Sequence, residues 1–121
     1  MAKILIIDDD KLIRWSLTEI FSQEGYEVNS VASIEEALTQ TKRNSYHLIF
    51  ADLEISEENG IEMLKKIRTF QPNTKIIVLS AFTRNQIEAE LDNLNIFSII
   101  EKPFKSEQIR TSAREALVES Q

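Results

Sequence analysis

The side chains best suited to chemistry in this sequence are three aspartates, one serine and one lysine, placed at or just beyond the ends of apolar segments. They are Asp8, Asp9, Asp52, Ser80 and Lys102. If the carboxylates shared a pocket they would repel, because two unit charges about 4 Å apart cost about 4 kcal/mol at an effective dielectric constant of 20. A small divalent cation offsets this repulsion, and Mg²⁺ is commonly held by one or two carboxylates together with a phosphate. The residue types therefore indicate a Mg²⁺ site that handles phosphate.

Asp52 is the candidate nucleophile of this set. A charge directly after a buried strand is costly unless it lies at the edge of the sheet, exposed and partnered, and a carboxylate there can form an aspartyl phosphate. The Lys102 ammonium can offset negative charge and contact a phosphoryl oxygen, and the Ser80 hydroxyl can donate a hydrogen bond to one. Phosphoryl transfer requires mainly positioning and charge neutralisation, which these groups and a metal would supply.

Short apolar segments and helical patterns alternate along the chain. The segments have the length and composition of buried strands, and a helical pattern or a capping motif follows each one. The predicted strands cover Lys3–Ile7, Tyr26–Val31, Leu48–Ala51, Lys75–Leu79 and Phe97–Ile100. The predicted helices carry Ile13 to Phe21, a capping box at Ser33–Glu36, Ile61 to Ile67, a capping box at Thr83–Gln86 extending to Leu94, and a start near Lys105 or Ser106.

This order of elements predicts an α/β fold in alternating (βα)5 order, with five parallel strands and five helices. Right-handed crossovers would place the helices on both faces of the sheet. The carboxyl ends of parallel strands meet at one edge, which is where α/β proteins bind ligands. We therefore expect Asp8, Asp9, Asp52, Ser80 and Lys102 to converge on one small pocket.

Composition limits the remaining classes of function. The chain of 121 residues carries a formal charge of -6 and contains no cysteine, which predicts one domain over residues 1–121 with neither disulfides nor a thiolate metal site. An acidic surface argues against direct binding of a nucleic-acid backbone. The sequence has no apolar run of membrane-spanning length and no signal-peptide pattern, so a cytoplasmic location is expected.

The ordered motifs resemble the receiver domain of bacterial two-component response regulators, over the whole chain. The matching segments are Ile4–Asp10, the strand ending in Asp52 with Gly60 closing the next loop, Val78–Ala81 and Lys102–Phe104. Each segment alone is a weak signal, whereas all of them in order at the ends of alternating strands form a specific one. The resemblance implies a flavodoxin/CheY-like three-layer sandwich.

The resemblance also implies a metal site and a phosphoacceptor. Asp52 would accept a phosphoryl group from a phosphohistidine on a sensor histidine kinase or a phosphotransfer protein. Asp9 would bind Mg²⁺ directly and Asp8 through water, with Asp52 and the backbone carbonyl of Glu54 completing the protein ligands.

Ser80 and Lys102 would hold the phosphoryl oxygens, and the Lys102–Pro103 peptide bond would be cis, as in the family. Phosphorylation would then bias a two-state equilibrium in an output face. The downstream element would be an unidentified output domain or partner protein, or a homodimer formed on phosphorylation. The chain would be a stand-alone receiver or the N-terminal part of a larger regulator, with transcriptional regulators among the candidates, and it would be a switch rather than a turnover enzyme.

The sequence departs from the family pattern at several positions. Ile99 replaces an aromatic residue whose ring rotation accompanies activation, so a different reporter of the switch is expected. Ser56 replaces a frequent proline, while Asn95, before the last strand, can still adopt a left-handed conformation. Glu54 and Phe82 occupy positions that influence dephosphorylation rate in the family.

Two other classes of function compete with the phosphorylation switch. A haloacid-dehalogenase-type phosphatase would also use an aspartate nucleophile and Mg²⁺; Asp8 and Asp10 fit its pattern, but Leu12 stands where that pattern needs Thr. Asp10 is instead expected to cap the first helix. A receiver fold used only as a phosphorylation-independent binding module would have no need to gather carboxylates.

Overall fold

A computed structural model of the chain describes residues 1–55 and 60–119. Strands and helices alternate throughout these residues. The strands are β1 (Lys3–Ile7), β2 (Glu27–Val31), β3 (Leu48–Asp52), β4 (Lys75–Ser80) and β5 (Ser98–Glu101). The helices are α1 (Lys11–Gln23), α2 (Ile34–Arg43), α3 (Ile61–Phe70), α4 (Arg84–Leu91) and α5 (Ser106–Glu119), and a 3₁₀ turn at Asp92–Leu94 follows α4.

The strands form one parallel sheet in the order β2-β1-β3-β4-β5, which confirms the predicted architecture. The order reverses between β1 and β3, so their carboxyl ends lie side by side at the point where doubly wound sheets open a crevice. All of β3 is buried, whereas only Val31 is fully buried in β2. The more polar composition of β2 therefore reflects its position at the edge of the sheet.

The sheet separates two hydrophobic cores, because successive side chains of a strand point to opposite faces. One core contains Leu5 and Ile7 of β1 with buried residues of α2, α3 and α4. The other contains Ile4 and Ile6 of the same strand with buried residues of α1 and α5. The predicted three layers are thus present, with two helices on one face and three on the other.

Local signals in the sequence account for most helix ends. The Asp10 carboxylate accepts the N–H groups of Leu12 at 2.8 Å and Ile13 at 3.3 Å, as expected for an N-cap residue. Gly25 follows α1 with φ 89°, and Asn95 has φ 53°, the left-handed conformation that these residue types tolerate.

The fourth helix and the fifth strand differ from the prediction by a few residues. Helix α4 ends at Leu91, and Leu94 lies in the 3₁₀ turn that follows it, which the left-handed Asn95 terminates. Strand β5 runs from Ser98 rather than Phe97, although the Phe97 N–H already donates to the Ile76 carbonyl at 2.8 Å. None of the described helices is long and apolar enough to cross a membrane.

Candidate functional site

The carboxyl edge of the sheet brings an ammonium group between two buried carboxylates. Lys102 Nζ lies 3.1 Å from Asp8 Oδ2 and 3.2 Å from Asp52 Oδ1. Asp8 is fully buried and Asp52 is 2% exposed. Ion pairs this deep require good geometry, because desolvating the charges is expensive. The predicted convergence of these three residues is present in the structure.

Backbone hydrogen bonds hold both carboxylates in place. Asp8 Oδ1 accepts the Asp10 N–H at 2.9 Å, and Asp52 Oδ1 accepts the Glu54 N–H at 3.1 Å. The Asp8 carbonyl accepts Nη1 of Arg14 at 2.8 Å, which ties the end of β1 to helix α1. Each carboxylate is therefore oriented by the turn that follows its own strand.

Lys102 is positioned by the neighbouring strand. Its backbone N–H donates to the Ser80 carbonyl at 2.7 Å, which continues the pairing of β4 with β5. The Lys102–Pro103 peptide bond is cis, as the resemblance implied. The lysine side chain then reaches across the end of β4 to the carboxylates of β1 and β3.

Burial and neighbouring charges shift the pKa values of Asp52 and Lys102. The pKa of Asp52 is raised from 3.8 to about 6, first by desolvation and then by the charge of Asp8, while Lys102 and the Glu54 N–H act in the opposite direction. Burial alone would lower the pKa of Lys102, but the carboxylates of Asp8 and Asp52 raise it above its usual range. Lys102 is therefore a permanent cation near neutral pH, and it does not fully offset the acidic groups.

The remaining negative charge suits a divalent cation. Asp8, Asp9 and Asp52 each place one carboxylate oxygen within 4.8 Å of the others. Asp8 Oδ2 is buried, and beyond its ion pair with Lys102 it accepts no hydrogen bond from the described residues, so a lone pair is left for a ligand. Hard oxygen donors of this kind fit Mg²⁺ or Ca²⁺.

Ser80 lies at the same edge but is engaged elsewhere. It is fully buried, and its hydroxyl donates to Glu54 Oε2 at 2.8 Å and accepts the Phe82 N–H at 3.0 Å. The other carboxylate oxygen of Glu54 accepts the Ala81 N–H at 2.7 Å. The sequence assigned the Glu54 carbonyl to the metal and marked position 54 as one that influences dephosphorylation in the family, but it did not predict this contact of the side chain with Ser80 and Ala81.

Other residues singled out in the sequence fall outside the pocket. Asp10 is occupied as the cap of α1, so its carboxylate does not serve as the second acid that a phosphatase of the haloacid-dehalogenase type would need. Phe82 is 49% exposed. Ile99 is partly buried against the core beneath α4. Ser56 lies outside the described residues.

The fold and this pocket define a class of α/β protein in which a buried aspartate, further acids and a lysine meet at the carboxyl edge of a parallel sheet. The sequence model of the family described as "Response regulator receiver domain" matches residues 4–114, and the chain belongs to that family. It is a receiver domain of two-component signalling, a family of phosphorylation-dependent switches that accept phosphate from histidine kinases or phosphotransfer proteins. The comparisons favour neither the phosphatase nor the phosphorylation-independent binding module.

Individual relatives agree with this assignment. The chain is 31% identical over 115 residues to sporulation initiation phosphotransferase F of Bacillus subtilis, covering 95% of this chain and 93% of that one. A CheY-like receiver domain protein from Methanospirillum hungatei superposes with a TM-score of 0.92 at 28% identity, covering 99% and 96% of the two chains. The response regulator TrrA from Thermotoga maritima, solved in complex with Mg²⁺-BeF, gives 0.83 at 29% identity, covering 97% and 100%.

Proposed function

We propose that Asp52 is the phosphoacceptor of this receiver domain and that Mg²⁺ is the cation that assists it. The supporting observation is the placement of Lys102 Nζ 3.1 Å from Asp8 and 3.2 Å from Asp52. The ammonium group fixes the nucleophile and can contact a transferred phosphoryl oxygen. The three aspartates together outweigh one lysine, which leaves a net charge for a divalent cation to neutralise.

The transfer is a displacement at phosphorus. An Asp52 carboxylate oxygen donates an electron pair to the phosphorus of a phosphohistidine as the P–N bond breaks. The electron pair of that bond leaves with the imidazole nitrogen, which takes up a proton. Asp52 then carries an acyl phosphate, and water can later attack the phosphorus to release inorganic phosphate and restore the carboxylate.

The residues that would hold Mg²⁺ are Asp8, Asp9, Asp52 and the backbone carbonyl of Glu54. When bound, the cation supplies charge neutralisation for the phosphoryl oxygens. The TrrA relative, which binds Mg²⁺-BeF, supports the choice of metal. Ser80 and Lys102 would hold phosphoryl oxygens.

The proposal extends to partners and context. The phosphoryl donor is a sensor histidine kinase or a phosphotransfer protein, and residues 1–121 act as one cytoplasmic receiver domain. Its output is binding to an unidentified output domain or partner protein, or homodimerisation on phosphorylation. A net charge of -6 disfavours direct contact of this domain with nucleic acid. Phosphate uptake and slow self-dephosphorylation would be its only chemistry.

Intact mass spectrometry tests the phosphoacceptor. The protein is incubated with acetyl phosphate and Mg²⁺, and the mass of the wild type is compared with that of Asp52→Asn. We expect a gain of one phosphoryl group in the wild type and none in Asp52→Asn. The exposed Asp92, on the 3₁₀ turn, supplies the matched control, since Asp92→Asn should gain mass like the wild type.

Three outcomes contradict the proposal in different ways. No mass gain in any protein with Mg²⁺ present would indicate a binding module without phosphorylation. An equal gain in wild type and Asp52→Asn would show that a residue other than Asp52 accepts the phosphoryl group. Sustained hydrolysis of a phosphate ester over many turnovers would indicate an enzyme.

A further inference from the structure

The Glu54 side chain sits in an anion pocket at the end of β4. Its two carboxylate oxygens accept one hydrogen bond each, from the Ser80 hydroxyl at 2.8 Å and from the Ala81 N–H at 2.7 Å. None of the ion pairs found in residues 1–55 and 60–119 includes Glu54. A half-buried carboxylate is thus held by two uncharged donors, which are the groups that commonly bind oxyanions.

The same two donors stand beside the acceptor of the phosphoryl group. Asp52 pairs with Leu79 in the register of β3 and β4, and Ser80 is the next residue of β4. The Leu53 N–H donates to the Leu79 carbonyl at 2.9 Å, so the two strands stay paired up to this edge. Neighbouring strands lie about 4.8 Å apart, which is within reach of a phosphoryl group carried by Asp52.

We infer that the Glu54 carboxylate is an internal competitor of the phosphoryl group for the Ser80 hydroxyl and the Ala81 N–H. This inference rests on the proposed role of Asp52. A serine hydroxyl and a backbone amide each have one proton to donate, so the two anions exclude each other at these positions. Their negative charges also repel, which adds to the competition.

Phosphorylation therefore has to expel Glu54 into solvent. The unphosphorylated protein holds Ser80 through an internal carboxylate, and the phosphorylated protein holds it through the phosphoryl group. The side chain that changes partners is therefore Glu54, which gives up the Ser80 hydroxyl and the Ala81 N–H. Because Glu54 has to be displaced, the affinity of the site for phosphoryl groups is lowered. Phosphorylation is thereby coupled to the position of the Glu54 side chain.

Binding of beryllium fluoride with Mg²⁺, measured by titration calorimetry, tests the competition. Glu54→Ala vacates both donors, and we expect it to bind this probe about tenfold more tightly than the wild type, equivalent to about 1.4 kcal/mol. Glu54→Gln keeps the shape but removes the charge, and it should fall between the two. Glu62→Ala removes a carboxylate from the exposed surface of α3, where it pairs with Lys65, and should bind like the wild type.

A second measurement uses neither metal nor phosphoryl analogue. In the wild type, the charge-assisted hydrogen bond to Glu54 should shift the Ala81 amide proton downfield in the NMR spectrum. Glu54→Ala should move this resonance upfield, Glu54→Gln should move it part of the way, and Glu62→Ala should leave it in place. A merely structural role for Glu54 would not make the amide resonance follow the charge of residue 54.

The outcomes separate this inference from the proposed function. Equal or weaker binding of beryllium fluoride by Glu54→Ala and Glu54→Gln, while the wild type binds it, would overturn the competition and leave Asp52 as the acceptor. An Ala81 amide proton with the same chemical shift in the wild type and in both variants would also overturn it. No binding by the wild type or either variant would remove the proposed function and the inference together.

Discussion

At the scale of single residues, the raised pKa of Asp52 is the feature with the clearest thermodynamic consequence. Burial and Asp8 raise this pKa to about 6, so the folded protein holds the proton more tightly than the unfolded chain. The stabilising contribution is therefore complete below about pH 4 and is lost as the pH rises through about 6. At neutral pH, ionisation of the buried Asp52 therefore lowers the free energy of unfolding.

Replacing this carboxylate should stabilise the metal-free protein. We expect Asp52→Asn in EDTA at pH 7.5 to have a free energy of unfolding about 1–3 kcal/mol above the wild type, since one pKa unit corresponds to about 1.4 kcal/mol. The difference should shrink towards pH 4. Urea denaturation at several pH values measures it, with the exposed Asp92→Asn as the control. A gain that grows as the pH falls would contradict this account.

Replacing Lys102 should destabilise the metal-free protein, in contrast to replacing Asp52. Lys102→Met leaves the buried carboxylates of Asp8 and Asp52 without their shared cation, and we expect a loss of about 2–3 kcal/mol in EDTA. Adding Mg²⁺ should restore more stability to this variant than to the wild type, because more negative charge is left to neutralise. Thermal unfolding with and without Mg²⁺ gives both quantities.

The matched control for Lys102 is another lysine in an ion pair. Lys65 contacts Glu62 at 3.1 Å on the exposed surface of α3, so Lys65→Met should cost less than about 1 kcal/mol and should not alter the response to Mg²⁺. A similar loss of stability in both variants would mean that the buried ion pairs of Lys102 contribute no more than the exposed pair of Lys65.

At the scale of elements, one close backbone contact joins Leu53, directly after β3, to Gly60, directly before α3. The Gly60 N–H donates to the Leu53 carbonyl at 2.7 Å, and a Cβ built at Gly60 would lie 2.6 Å from that oxygen. Gly60→Ala must therefore push the backbone next to Asp52. We expect a loss of about 1–3 kcal/mol together with slower phosphorylation by acetyl phosphate.

Gly25 provides the comparison for Gly60. It has φ 89° and open space where a Cβ would go, so Gly25→Ala should cost about 1 kcal/mol of backbone strain without changing the rate of phosphorylation. Denaturant melts and mass spectrometry on both variants separate the two effects. Equal phosphorylation rates in Gly60→Ala and Gly25→Ala would show that the loop contact does not position Asp52.

Elements covered on both faces were the easiest to predict. Strands β1 and β3 carry continuous apolar runs, and their observed ranges match the predicted ones to within one residue. The edge strand β5 is less apolar, and its bounds shifted by one residue. The convergence of Asp8, Asp52 and Lys102 also followed from topology, since parallel strands end at a common edge.

The Glu54 contact could not be predicted in the same way. Whether its carboxylate points to solvent or to Ser80 depends on how closely the turns after β3 and β4 approach and on a choice of rotamer. Neither quantity has a periodic signature in the sequence. The same limit applies to the end of α4, where the helix tightens into a 3₁₀ turn at Asp92–Leu94.

At the scale of the whole molecule, metal binding should couple to global unfolding. A cation that binds only the folded state adds about 2.7 kcal/mol at a concentration 100 times its Kd, so Mg²⁺ should raise the unfolding temperature in a concentration-dependent manner. Asp9 is exposed, and Asp9→Asn should lose most of the gain from Mg²⁺, measured for each protein as the difference between its unfolding temperatures in Mg²⁺ and in EDTA. A gain that persists in Asp9→Asn would exclude Asp9 as a ligand.

Strand β3 occupies the middle of the sheet, with every residue buried. Its backbone amides should accordingly be among the last to exchange with deuterium, and those of β2 at the edge among the first. Asp52, the proposed acceptor, thus ends a central and fully buried strand, which we expect to change little in shape on phosphorylation. The effect of phosphorylation on the rest of the protein must therefore pass through the turns that border Asp52.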